Sequence, residues 1–273
     1  MPTNRFPDSP EKRELRRRGG RLLLEWKERN SRSLDYCGMP SVEFLDIEQW
    51  RPYLRSVVAV EYLPEIAADM KIEKDKRNFV FPVEIIEDNI LRFLSNSTSA
   101  FDVYNLDFYG GFLNSPQLGK WNSIDGIRSI FSIQAKKGQS FVVITTFNVR
   151  ESGAREYLAF LDSAREELKG RQNSKHNLDT HAANQATRLK LCFPFFCWQL
   201  AQANGFEQRC NNIYTYRTTA TLVHFLQEFI LHQRGLPGVP AIRALIDIAN
   251  MPLFEMRGQI PYKRFSMPQI PVL

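Results

Sequence analysis

Ser56-Val-Val-Ala-Val-Glu61 decides how this chain is read. It is a short β-branched run ending on a carboxylate, and Pro64, a residue favoured in the first turn of a helix, opens a helix-like stretch over residues 63–70. The unit is strand, acid, helix. It recurs at once: residues 78–86 read as a strand, Glu87-Asp88 close it, and Asn89 is placed to cap a helix through Leu94. A third strand, Phe101-Asp-Val-Tyr-Asn-Leu106, runs into Asp107-Phe-Tyr-Gly-Gly111, and a helix over 123–136 leads to Phe141-Val-Val-Ile-Thr-Thr-Phe147. Alternation of this kind, with strands apolar on both faces, predicts an α/β fold whose mostly parallel sheet is covered by helices through right-handed crossovers.

The flanks are read from this centre. Residues 11–30 predict a helix with Leu15, Leu22, Leu23 and Trp26 on one apolar face, weakened by Gly19-Gly20. The first unit starts near Tyr36-Cys-Gly-Met-Pro40, after Ser33-Leu-Asp-Tyr36, a poor strand sequence; a helix over 42–54 with Ser41 as N-cap follows. Later come a polar-faced helix over 151–169, a linker over 171–179, and a helix over 180–203 interrupted by Pro194 and stopped by Asn204-Gly205. Residues 211–217 and 222–231 predict an antiparallel hairpin at a sheet edge. From His232 the chain is proline-rich, with a short helix over 241–249. The expected organisation is a basic N-terminal arm (1–33), a core domain (34–231) and a C-terminal tail (232–273) that packs over its own domain.

Composition narrows the chemistry. No apolar run reaches the roughly 18 residues of a membrane span and the Arg-rich start lacks an apolar signal core, so the expected location is the cytoplasm. Cys37, Cys192, Cys197 and Cys210 form no CxxC pair and no histidine stands at zinc spacing beside them, so no metal site is expected. His176 and His181 read as exposed polar residues and His224 as structural. There is no G-x-S-x-G elbow, Walker lysine or H-E-x-x-H helix, which removes hydrolase, P-loop and zincin readings. The formal charge of +6 is concentrated in Glu11–Arg21, EKRELRRRGGR. Such a run suits a nucleic-acid backbone, DNA or RNA, equally with a solvated helix or a frayed arm.

The order of elements resembles a class I S-adenosylmethionine-dependent methyltransferase, a Rossmann-like three-layer sandwich with a C-terminal antiparallel hairpin, over about residues 34–231. The resemblance implies S-adenosylmethionine as cofactor. Tyr36 and Gly38 stand at the turn after the first strand, where such enzymes use several glycines and this chain has one. Glu61 stands where an acid meets the ribose hydroxyls; capping of the following helix is the competing role. Asp88 with Asn89 stands where an acid meets the adenine amine, with helix capping equally expected. Asn105-Leu-Asp-Phe-Tyr-Gly110 resembles the D-P-P-Y signature of amino methyltransferases, and more closely the D-x-D-P-F-G form of tRNA guanine dimethyltransferases, with Phe108 in place of proline. That implies a catalytic set of Asp107, Phe108 and Tyr109, in which Asp107 orients a target amine and Tyr109 stacks on the base. A glycine turn without chemistry is the alternative for this segment. The function implied is methyl transfer to an amine, most plausibly in nucleic acid; the alternative is a binding or regulatory subunit that has lost transfer chemistry, as the single glycine and Phe108 suggest.

Overall fold

The computed structural model describes residues 8–108, 123–149, 185–217, 221–232, 247–248, 251, 253–257 and 260–265. Its strands are β1 (Leu34–Gly38), β2 (Leu54–Glu61), β3 (Val83–Glu87), β4 (Val103–Phe108), β5 (Phe141–Asn148), β6 (Phe206–Arg217), β7 (Thr221–Leu231), β8 (Leu253–Arg257) and β9 (Ile260–Phe265). They form one sheet in the order β3-β2-β1-β4-β5-β7-β6-β8-β9. The contacts from β3 through β5 are all parallel, and β7 is antiparallel to both β5 and β6. Helices α1 (Pro10–Asn30), α2 (Leu45–Trp50), α3 (Pro64–Arg77), α4 (Ile90–Asn96), α5 (Ser123–Lys137) and α6 (Gln185–Asn204) cover it. The fold is therefore mixed α/β and Rossmann-like, with a mostly parallel sheet and antiparallel C-terminal strands.

Two cores define the layers. One face of the sheet buries Ile90 and Leu94 of α4, Ile127, Ile130 and Phe131 of α5, and Leu189, Phe193, Cys197 and Ala201 of α6. Phe131, Phe141, Phe206 and Phe229 meet there at centroid distances of 4.7–6.0 Å, a spacing at which tilted aromatic rings attract beyond their area burial. The opposite face buries Leu15, Leu22, Leu23 and Trp26 of α1, Ile47 and Trp50 of α2, and Met70 of α3.

Described residues on both flanks of the core expected over 34–231 contribute elements to this architecture. Helix α1 belongs to the second core; Ser9 caps it, its Oγ accepting from the Lys12 amide at 3.3 Å, and Pro10 fills the first turn. Gly19-Gly20 does not interrupt it. A Cβ on Gly19 would stand 2.9 Å from the Trp50 ring and one on Gly20 3.2 Å from it, so the pair lets α1 lie directly on Trp50, whose Nε1 donates to the Arg16 carbonyl at 2.9 Å. Past His232, β8 pairs parallel with β6 and carries β9 on its other edge, so part of the expected tail extends the sheet.

Several boundaries move for physical reasons. The poor strand sequence at Leu34–Gly38 is the middle strand of the parallel set, paired on both sides. Strand β3 starts only at Val83, because Phe79 and Phe81 are stacked on each other and Phe79 packs edge-on to Phe44. Ser41 does not cap α2; its carbonyl accepts from the Phe44 amide at 2.9 Å, and Phe44, at φ 48°, is the N-cap without a side-chain bond. Helix α6 runs through Pro194 unbroken and ends before Gly205 at φ +79°. The helix expected over 151–169 and the linker over 171–179 lie outside the described residues.

Several arginines of the basic run are paired within the fold. Glu14 is buried and accepts from Arg17 and Arg18 at 2.6–2.7 Å; Arg18 also donates to the Tyr214 hydroxyl at 2.7 Å. Arg13 and Arg16 pair with Asp8, and Arg16 also faces Asp46 at 3.6 Å. Among the described residues no helix is long and apolar enough to cross a membrane, and no group of His, Cys, Asp and Glu stands together as a metal site would require.

Candidate functional site

Between β1 and β4 the chain changes direction: β1, β2 and β3 progress one way across the sheet, β4 and β5 the other. In doubly wound sheets the crevice outside the carboxyl ends of the strands at this switch point is where ligands bind, because the two neighbouring loops leave in opposite directions. Gly38 ends β1 there, level with Asn105 of β4, two residues short of Asp107.

Strand alternation then sorts the side chains. Val103, Asn105 and Asp107 point to the α1 face, while Tyr104, Leu106 and Phe108 point into the core under α4–α6. Asn105 is buried and its Nδ2 donates to the Tyr36 hydroxyl at 3.2 Å and to Asp46 Oδ2, from the first turn of α2, at 3.0 Å. Burial, reinforced by Asp46, pushes the Tyr36 phenol well above its usual range. Asp46 is itself raised by burial against the opposing pull of Arg16 and Asn105.

Asp107 is the exposed residue of an otherwise buried strand. The carboxylate is solvent-accessible, yet protein surrounds it closely enough that desolvation raises its pKa to about 6; Lys12 opposes this shift and Asp46 adds to it. An exposed carboxylate whose pKa is raised, with Asp46 and Lys12 acting on it, suits proton exchange near neutrality.

The remaining expected residues fall as follows. Gly38 has no room for a side chain: a Cβ would lie 2.4 Å from the Asn105 carbonyl oxygen and 2.6 Å from the Tyr36 hydroxyl. That packing accounts for the glycine independently of any cofactor. Glu61 ends β2, with Oε1 accepting from the Leu63 amide at 2.9 Å, so one oxygen steadies the turn into α3 and the other accepts no hydrogen bond among the described residues. The Asp88 amide donates to the Glu61 carbonyl at 3.0 Å, which puts the ends of β2 and β3 together. Asp88 accepts from the Asn89 amide and from Arg92, and Asn89 Oδ1 accepts from the Leu91 amide at 2.9 Å, so both serve the start of α4. Phe108 is a correction: it is a core residue, stacked on Phe147 at 5.1 Å, on the opposite face from Asp107. Tyr109 lies outside the described residues.

Four residues near Asp107 carried no functional reading in the sequence. Thr146 is the strand partner of Asp107, and His224 is the partner of Thr146. Their side chains meet, Thr146 Oγ1 to His224 Nδ1 at 2.9 Å, and Tyr216 hydrogen-bonds the same threonine. Asn148, two residues on, faces the same side. Asp46 was equally unseen, since nothing local in the sequence announces its contact with Asn105 across 59 residues.

No family model matches the chain, and no curated protein matches it by sequence. Among solved structures, cofactor-bound Rv0187 from MTB is similar over 84% of this chain and 83% of its own, at 11% identity and a TM-score of 0.43. The N-methyltransferase NodS from Bradyrhizobium japonicum is similar over 80% of this chain and 97% of its own, at 10% identity and a TM-score of 0.38.

Proposed function

We propose that the protein is an S-adenosylmethionine-dependent methyltransferase acting on an amine, nucleobase amines included. The observation that carries this reading is Asp107: an accessible carboxylate with a pKa near 6 at the switch point of a doubly wound sheet. The adenosyl part of the cofactor would be held at the carboxyl ends of β1–β3, by Glu61, which keeps an oxygen for the ribose hydroxyls, with Asp88 and Asn89 at the next strand end and Tyr36 and Gly38 at the end of β1. When bound, S-adenosylmethionine supplies an electrophilic methyl group and its own leaving group. The protein's part is alignment, exclusion of water and the fate of one proton. Asp107, ionised at neutral pH, accepts a hydrogen bond from the amine, turns the nitrogen lone pair toward the incoming methyl, and takes the N–H proton as the N–C bond forms. Asn105, two residues before this carboxylate on the same face of β4, ties Asp46 and Tyr36 together.

The test is titration of the full chain with S-adenosylmethionine and S-adenosylhomocysteine. Wild type and Asp107→Ala should bind both, Glu61→Ala should lose at least about tenfold in affinity, and Asp107→Ala alone should lose transfer of labelled methyl to amine acceptors. Failure of the wild type to bind either compound at millimolar concentration sinks the assignment. Binding without transfer to any amine would favour the regulatory-subunit alternative.

A further inference from the structure

The α1 face carries unsatisfied polar atoms beside Asp107. Thr146, Asn148 and His224 are 6%, 7% and 7% exposed, and Tyr216 is 4% exposed. Asn148 Oδ1 and His224 Nε2 nevertheless make no hydrogen bond among the described residues. Leaving such atoms unpaired is costly, and native proteins satisfy roughly 90% of buried polar groups, so two on neighbouring strands of one face call for a partner. Their position limits what the partner is. Asp107, Thr146 and His224 occupy one row across β4, β5 and β7, at about 4.8 Å per strand, and Asn148 lies one pleat nearer the carboxyl end of β5.

We infer that Asn148 and His224, steadied by Thr146 and Tyr216, form the recognition wall for the molecule whose amine Asp107 holds, and that this molecule is an uncharged, planar heterocyclic amine. That this molecule is the methyl acceptor rests on the methyltransferase reading; the wall itself does not. Thr146 holds the imidazole through Nδ1 and leaves Nε2 without a bond among the described residues, while the equally unbonded Asn148 Oδ1 can accept from a ring N–H or amino group. Burial pushes His224 down to about 3, so the wall presents neutral groups only. The cations near the site act on its carboxylates, Lys12 on Asp107 and Asp46, and Arg16 on Asp46. An anionic ring would meet two carboxylates and a neutral imidazole, a mismatch that a neutral ring avoids.

The experiment is calorimetric binding of adenosine and guanosine, with the anionic 4-aminobenzoate as control, to the full-length protein with and without saturating S-adenosylhomocysteine. Wild type should bind at least one nucleoside and reject 4-aminobenzoate. Asn148→Ser and His224→Asn should each weaken nucleoside binding at least about tenfold while leaving S-adenosylhomocysteine affinity within about twofold. Thermal unfolding certifies that each variant is folded, and Thr146→Ser, which keeps the hydroxyl, should retain binding. Unchanged nucleoside affinity in both folded variants overturns the wall, as does wild type that binds neither nucleoside or prefers the anion. Absence of S-adenosylhomocysteine binding instead defeats the methyltransferase reading, while nucleoside binding to the protein alone still reports on the wall.

Discussion

Acidification should expose His224 directly. Its imidazole lies inside the sheet with a pKa held near 3 by desolvation, against 6.5 for the exposed side chain. The unfolded chain therefore takes up a proton that the folded chain refuses, and stability falls as pH drops from above 6.5 toward 3. Between pH about 7.5 and about 5 this single group removes about 1.5 pH-equivalents of binding free energy, or about 2 kcal/mol. Other groups titrate in the same window. Asp107, raised to about 6, has the opposite sign, because its folded form binds a proton more readily than the unfolded chain and gains stability on acidification. The informative quantity is thus a double difference: urea unfolding of wild type and His224→Asn at both pH values. Asparagine keeps a polar atom near the Nδ1 position and has no titration, so its cost is the same at both pH values. Wild type should lose about 2 kcal/mol more than the variant on acidification. Losses equal to within about 0.5 kcal/mol would refute the claim that this histidine is folded in as the neutral base.

Other perturbations read other parts of the molecule. If ionised Asp107 receives the amine proton, kcat/KM should fall below an apparent pKa near 6, and Asp107→Asn should abolish that limb together with most turnover, as a pH–rate series would show. Gly38→Ala forces a Cβ to within 2.4 Å of the Asn105 carbonyl and should destabilise by about 3 kcal/mol in a urea titration, the upper end for overpacking because the obstacle is backbone. Arg32→Ala strands Asp102, 1% exposed, which Arg32 grips with two bonds of 2.6 and 2.7 Å. It should cost about 3 kcal/mol, the low end for breaking a buried pair, since the Asp35 amide and Gln139 still donate to Asp102. Glu14→Gln removes the charge that Arg17 and Arg18 share and should weaken the docking of α1, seen as faster amide exchange in its first three turns with the sheet unaffected.

The parallel half of the fold was legible because its signal is local. The VVAV run of β2 and the apolar run of β5 are buried strands on β-branched content alone, and Pro64 marks the start of α3. What escaped depends on distant partners. Leu34–Gly38 holds a central place because Tyr36 and Cys37 are sealed by neighbours on both faces, a burial no window of five residues reveals. Gly19-Gly20 reads as a helix weakness until Trp50 is known to press on it. The pairing of the basic run was hidden because Asp8, Asp46 and Tyr214, which engage it, come from before, beyond and the far end of the chain. At the site, Asp107 was legible as an acid at the end of a strand, while Asn148, Thr146 and His224 were not, since each looks like an ordinary strand residue.

Period-two alternation splits the motif between the two faces of the sheet. Asp107 and Phe108 are adjacent in sequence and both belong to β4, so one must point to the α1 face and the other to the aromatic core. A reading that treats residues 107–109 as a turn puts all of them at the ligand; a strand that runs through Phe108 assigns only every second residue to it. The same rule collects Asp107, Thr146 and His224 from three strands into one polar row, because residues in register share a face. Polar groups here in place of valine or isoleucine cost the sheet stability, and His224 Nε2 in the row, with Asn148 Oδ1 one pleat away, lacks the bond that would offset the loss. Such a cost is retained where a ligand completes the bonding, and the row ends on the accessible carboxylate at which a ligand would arrive.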